Sequence, residues 1–127
     1  VVVREGNPGD SLFQVVQGVV EVLKNQEEAE PFQVACLRHG DVFGEMSMLT
    51  DSRRSATVRA LEECLLLEVS RPSLGPLLLN NPPLMDRLAH LVSKRRGELE
   101  GMEREKVKAH ENQLLRRMKQ LFENLTL

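Results

Sequence analysis

Cysteine is scarce in this 127-residue chain: Cys36 and Cys64 stand 28 positions apart, with no CxxC spacing and no companion histidine cluster. That excludes a disulfide framework and a zinc site of the usual spacing, and it is compatible with a reducing compartment. The three histidines, His39, His90 and His110, are scattered, so no pair has metal-ligand spacing. No run approaches the roughly 18 apolar residues of a membrane span. The opening VVVREGNPGD lacks the character of a signal peptide, because a charge and a turn interrupt it. No Ser-His-Asp or Cys-His set is suggested, so the chain is not expected to be an enzyme. Neither sign of charge dominates: 17 Lys and Arg face 19 Asp and Glu. Such a balance disfavours a protein that coats itself in nucleic acid or anionic lipid.

What is present is unevenly spread. Residues 1–93 hold 8 basic and 13 acidic side chains, net −5, whereas residues 94–127 hold 9 and 6, net +3. The length suits one domain with a buried apolar core. Up to Ser70 the pattern is that of antiparallel strands, short apolar stretches separated by turn signals. Val1 to Val3 reads as a strand already under way, as in a fragment of a longer protein. Asn7-Pro8-Gly9-Asp10 is a turn, with Gly9 available for a positive φ. Leu12–Val16 and Val19–Leu23, flanking Gln17-Gly18, read as a hairpin. Residues 25–31 read as a solvated loop, and Phe32–Leu37 as a further strand. Arg38-His39-Gly40-Asp41 is another turn, and one turn of helix is expected to open after Gly44. Ala56–Leu61 and Cys64–Val69 complete the strands, the second apolar enough to be central.

Beyond Ser70 the period becomes helical. Pro72 suits a first helical turn, with Leu74, Leu77 and Leu78 as its apolar face, before Asn80-Asn81-Pro82-Pro83 stops it. A second helix from Pro83 carries Leu84, Leu88, Leu91 and Val92 on one face and Lys94-Arg95-Arg96 in its last turn, where the helix dipole favours cations. Gly97 and Gly101 then weaken it. Val107, Leu114, Met118, Leu121 and Leu125 fall in a 3.5-residue register broken by Glu111, the pattern of a short helix seeking a partner.

Residues 40–60, GDVFGEMSMLTDSRRSATVRA, carry the chemistry. A helix opening after Gly44 presents N–H groups without intrahelical acceptors, and Arg54 supplies a planar fork of donors for the same anion. Glu45 would repel a phosphate, so it makes sense facing a hydroxyl or an arginine. Together these suit a sugar phosphate between apolar walls. The plainer alternative is a Glu45–Arg54 ion pair closing a loop, with Arg53 in solvent.

At this point the chain resembles the cyclic nucleotide-binding domain, the module of catabolite-activator-type transcription factors, cyclic-nucleotide-dependent kinases and cyclic-nucleotide-regulated channels. The resemblance covers Gly6 to about Arg96. It rests on Gly9-Asp10-Ser11-Leu12-Phe13 running to Val16, Gly18 and Val20, on Gly40-Asp41-Val42-Phe43-Gly44-Glu45, and on Arg54-Ser55-Ala56-Thr57-Val58. It implies an α+β fold: an antiparallel, jelly-roll-like β-roll over 1–70, a short phosphate-cassette helix and C-terminal lid helices over 71–96. A helical tail, 97–127, would follow as a coiled coil and homo-oligomer contact through residues 107–125. The family's N-terminal helix and first strand are missing.

By the same resemblance Arg54 pairs with the cyclic phosphate, Glu45 accepts from the ribose 2′-hydroxyl beside the Gly44 backbone, and backbone groups of Met46, Ser47, Ser55 and Ala56 complete the cradle. Ser55 is the selectivity position, leaving cyclic AMP and cyclic GMP both open with cyclic AMP favoured. Val58 is a wall under the base, and Leu91 or Arg96 caps it. No cofactor beyond this ligand is implied, and no metal. The expected role is a ligand-sensing regulatory module, cytoplasmic, attached to an effector. A bacterial inner-membrane channel or transporter is the favoured host, because no helix-turn-helix follows residue 96 and no contact of this chain with nucleic acid is expected. The alternatives are the sensory half of a Crp/Fnr-like transcription regulator and a β-roll scaffold that binds nothing.

Overall fold

The computed structural model describes residues 1–123. Its elements are β1 (Ser11–Gln17), β2 (Val20–Gln26), β3 (Ala29–Leu37), β4 (Val42–Phe43), α1 (Glu45–Thr50), β5 (Thr57–Ala60), β6 (Leu65–Ser70), α2 (Arg71–Leu79), α3 (Pro82–Glu100) and α4 (Arg104–Glu123). They form an α+β fold. The chain divides into two compact units, Val1–Ser70 and Arg71–Leu127.

The first unit holds two antiparallel three-stranded sheets, ordered β4-β1-β6 and β3-β2-β5. The hairpin expected across Gln17-Gly18 does not form. β1 pairs with β4 and β6, β2 with β3 and β5, so the chain changes sheet at Gly18. Gly18 has φ +96, and a Cβ there would lie 2.7 Å from Cys64 Sγ and 2.8 Å from the Glu63 carbonyl oxygen. Both facts demand glycine. The true hairpin is β2–β3, turning at Glu27-Glu28 inside the segment read as loop, with Glu28 at φ 54. Pro31 is accommodated because β3 is an edge strand. β6 is likewise an edge rather than a central strand, leaving Leu65 and Leu67 exposed.

Both sheets contribute to one core of Phe13, Val15, Val20, Phe43 and Val58, against which Val2, Val3, Val22, Leu37, Cys64 and Leu66 pack. Alternation along β1 explains it: Ser11, Phe13 and Val15 point inward. The Phe13 and Phe43 rings stack with centroids 5.1 Å apart. Val15 and Val20 are fully buried, each worth roughly 1.5–3 kcal/mol of hydrophobic stabilisation.

The second unit is helical. Pro82 and Pro83 occupy the first turn of α3, where a missing N–H costs nothing. α3 runs through Gly97 to Glu100 and ends at Gly101, φ 65, so Lys94–Arg96 do not form its last turn. Gly97 survives mid-helix because α4 comes close: a Cβ there would meet Val107 Cγ2 at 2.3 Å. The buried stripe of α3 is Met85, Ala89 and Ser93, while Leu84 and Leu91 are exposed; on α2 Leu78 is buried and Leu77 exposed. The expected faces were therefore rotated. On α4, Leu114, Met118 and Phe122 are buried and the helix packs on α3, so the stripe read as seeking a partner finds it within the chain. Leu125 lies outside the described residues. Ser93 Oγ lies 2.9 Å from His110 Nδ1, and His90 Nδ1 3.0 Å from Glu111 Oε1, across this helix pair.

Candidate functional site

Arg54 is the organising residue of the first unit's polar cluster. It sits on the loop between α1 and β5, and that loop is laced to the segment before β1: the Gly6 N–H donates to the Arg54 carbonyl and the Arg54 N–H to the Asn7 carbonyl, both at 2.8 Å. The side chain is 7% exposed, unusual for an arginine. Nη1 donates to the Ser11 carbonyl at 2.8 Å and to the Gly44 carbonyl at 3.1 Å. The guanidinium carbon stands 5.8 Å from the centroid of the Phe13 ring. Burial pushes its pKa below the ordinary arginine value, and the charges of Asp10 and Glu68 pull it back up. An arginine remains charged throughout the useful pH range. Ser11 Oγ in turn donates to Glu68 Oε1 at 2.9 Å, joining one of the acidic neighbours of Arg54 to β1.

Two glycines make room for that guanidinium. A Cβ on Gly9 would fall 2.3 Å from Nε, and one on Gly44 would fall 2.5 Å from Nη1. Gly9 does not have the positive φ expected of it; its value is the space it leaves. Gly44, at φ 80, ends β4 and opens α1.

Arg54 has five N–H donors, and only Nη1 is engaged by described residues. Nε and Nη2 therefore retain donors for a further acceptor. A cavity of about 360 Å³ opens beside the residue, walled also by Phe13, Asn7, Pro8, Arg4 and Val1 to Val3. Of the ligand-binding residues expected from sequence, Arg54 alone lines it.

The others are distributed as follows. Glu45 opens α1, is half-buried, and makes no side-chain hydrogen bond or ion pair among the described residues, so the Glu45–Arg54 pair considered from sequence is not formed there. Met46 lies in the first turn, its carbonyl accepting from Thr50 Oγ1 at 2.6 Å, and Ser47 is buried. Ser55 is exposed and Ala56 half-buried, and their backbone N–H groups meet no acceptor among the described residues. Val58 is a core residue, hydrogen-bonded through its backbone to Val2 and Val3. In the second unit, Leu91 is half exposed and Arg96 exposed on α3. Arg53 is exposed, with Nη1 donating to the Gly6 carbonyl at 3.0 Å.

Sequence reasoning missed Gly9 as a neighbour of Arg54, and Lys24, whose ammonium donates to the Ser55 carbonyl. The first lies 45 positions from its partner and the second 31, so no local pattern announces either.

Residues 1–81 match the family profile of the cyclic nucleotide-binding domain. The cAMP-activated global transcriptional regulator CRP of Salmonella typhimurium is 31% identical over 94 residues, covering 73% of this chain and 45% of that protein. The cAMP-dependent protein kinase regulatory subunit of Blastocladiella emersonii is 31% identical over 98 residues, covering 77% of this chain and 24% of that one. Among solved structures, the catabolite activator protein of Thermus thermophilus superposes with a TM-score of 0.70 at 30% identity, covering 78% of this chain and 46% of that chain. The chain belongs to the cyclic nucleotide-binding domain family, and its fold is that family's β-roll with helices. It spans under half the length of these relatives. No helix among the described residues is long and apolar enough to cross a membrane.

Proposed function

We propose that this chain is the ligand-sensing module of a larger regulatory protein, that it binds a cyclic nucleotide at residues 44–58, and that cyclic AMP is preferred. The observation that carries the reading is Arg54: buried, positively charged, fixed through Nη1 to two carbonyls, with donors to spare. A guanidinium held this way is a preorganised partner for a phosphate, since little is left to order when the anion arrives. Glu45 has an unengaged carboxylate to accept from a ribose hydroxyl. The N–H groups of Glu45, Met46, Ser55 and Ala56 supply further donors, with Ser47 beside them. Val58 backs the base. The cyclic AMP preference is supported by relatives whose names carry that ligand.

The module is residues 1–96, with the rest of α3 and α4 as its helical extension to an effector. Two hosts stand level. A bacterial inner-membrane channel or transporter, with this module in the cytoplasm, is one, since cyclic-nucleotide-regulated channels carry the module this chain resembles. A Crp-like transcription regulator is favoured by 31% identity to CRP, and in that case the attached region contacts DNA. Binding shifts such a host only by the ligand's differential affinity for its two states.

Calorimetric titration of the chain with cyclic AMP and cyclic GMP, with 5′-AMP as control, tests the reading. Saturable binding that requires the cyclic phosphate is the expected result. A folded chain giving no heat with any of the three would instead support a scaffold.

A further inference from the structure

The ladder between β2 and β5 ends at the pair Leu23 and Thr57, so Ser55-Ala56, immediately before β5, has no strand partner. It is nevertheless tied down. Lys24, the next residue on β2, reaches across and donates its ammonium to the Ser55 carbonyl. Glu5 stands beside this contact: one carboxylate oxygen lies 4.0 Å from Lys24 Nζ, and the other accepts the Asn25 N–H at 2.7 Å. The Glu5 N–H donates to Thr57 Oγ1 at 3.0 Å, so the same residue ties the far side of the loop.

We propose that Lys24 is a positioning residue for the phosphate-binding segment, acting by fixing the orientation of the Ser55–Ala56 peptide; the inference rests on the reading of residues 44–58 as that segment. A trans peptide places its carbonyl and the following N–H on opposite sides, and the described chain has no cis bond. Holding the Ser55 oxygen therefore fixes the direction of the Ala56 N–H, which has no acceptor of its own among the described residues. Without Lys24 that peptide can rotate about its flanking torsions, and a bound phosphate must then order it. The cost falls on the phosphate contact and is blind to the base.

The test is calorimetry on the 127-residue chain with cyclic AMP and with cyclic GMP, for wild type, Lys24→Met, Lys24→Arg and Glu5→Gln, alongside thermal melts. Lys24→Met should weaken both ligands by the same factor, about five- to tenfold, the scale of one lost hydrogen bond. Its melting temperature should stay near that of wild type, because Lys24 is only half-buried and its side chain is 41% exposed, and Lys24→Arg should restore most of the affinity. Glu5→Gln, which keeps an acceptor for the Asn25 N–H, should fall between. The Ala56 amide resonance should shift in ligand-free Lys24→Met.

A positioning effect is insensitive to salt, whereas simple attraction between the Lys24 charge and the ligand would fade as the screening length falls from about 10 Å at 0.1 M to about 3 Å at 1 M. A Lys24→Met affinity within twofold of wild type, or a deficit that vanishes at 1 M salt, overturns the proposal. Wild-type chain that binds neither nucleotide overturns the reading of the segment and this inference with it, and that failure is recognised because it precedes any substitution.

Discussion

Gly9 and Arg54 occupy complementary space: the position a Gly9 Cβ would take is 2.3 Å from Arg54 Nε and 2.5 Å from Cζ. The glycine is where the guanidinium passes. Gly9→Ala should expel the guanidinium from its seat, breaking the Nη1 bonds to Ser11 and Gly44. Because the displaced atoms are the end of a long side chain, the roll should survive with a loss of about 1–2 kcal/mol. Cyclic nucleotide affinity should fall more than about tenfold, as one charge-assisted hydrogen bond already contributes about 1.5–3 kcal/mol. Chemical denaturation and calorimetry measure the two effects separately; unchanged affinity would remove Arg54 from the binding machinery.

Glu45 makes a second, chemical prediction. If its carboxylate accepts from the ribose 2′-hydroxyl, Glu45→Gln should weaken cyclic AMP while binding the 2′-deoxy analogue nearly as wild type does. The double comparison should therefore be non-additive. Additive losses would place Glu45 elsewhere.

The pattern of what was legible follows from the range of the interactions. The helix after Gly44 was readable because its signals are adjacent in sequence: glycine, acidic first residue, apolar Met48 and Leu49. The change from strands to helices at Ser70 was readable from period alone. Failures came where the deciding contact is remote. Gln17-Gly18 has good hairpin chemistry, but Gly18 packs on Glu63 and Cys64, and that contact sends β2 to the other sheet. On α3 the leucines outnumber the small residues, yet the face against α4 needs Ala89, Ser93 and Gly97, since bulk there would hold the helices apart. Phe122, fully buried, was passed over for Leu121 by a register drawn at 3.5 rather than 3.6 residues. At the site, Arg54 was nameable from its motif and Gly9 only as a turn glycine, while the fit of Gly9 to Arg54 and the Lys24 contact were not.

Gly97→Ala sets two effects of opposite sign against each other. Alanine is the better helix former by about 1 kcal/mol. Its methyl would meet Val107 Cγ2 at 2.3 Å, and overpacking of this kind costs about 1–3 kcal/mol. The net should be destabilisation of α3 and α4, with hydrogen exchange in both helices accelerated; a stabilised variant would show that Val107 yields to the methyl at little cost. Gly97→Ala combined with Val107→Ala should recover the loss.

Acid should reveal Glu21. Its carboxylate, buried on β2, accepts from Gln33 Nε2 and pairs with Arg59, and these contacts hold its pKa below the ordinary 4.5. A depressed folded value contributes stability above the unfolded pKa, and that stability is lost as pH falls through the folded one. Glu21→Gln should thus be less stable than wild type at pH 7, with the difference closing as pH falls below the ordinary carboxylate range. Denaturant midpoints at several pH values measure it. A gap constant with pH would assign the effect to packing.

The sheet change at Gly18 bears on how the roll comes into being. Neither sheet is written in consecutive sequence: β1 waits for β6, where Ser11 meets Ser70, and β2 for β5, where Val20 meets Ala60. Most of the unit must be synthesised before β1 has its long partner. Loop closure over such distances precedes any reward from pairing, so folding should be slow and all-or-none, far slower than for the helical unit alone. A ribosome-bound chain ending before Leu65 would carry a β1 paired only with the two-residue β4, its other edge open and aggregation-prone, and the last strand to emerge is the one that commits the roll.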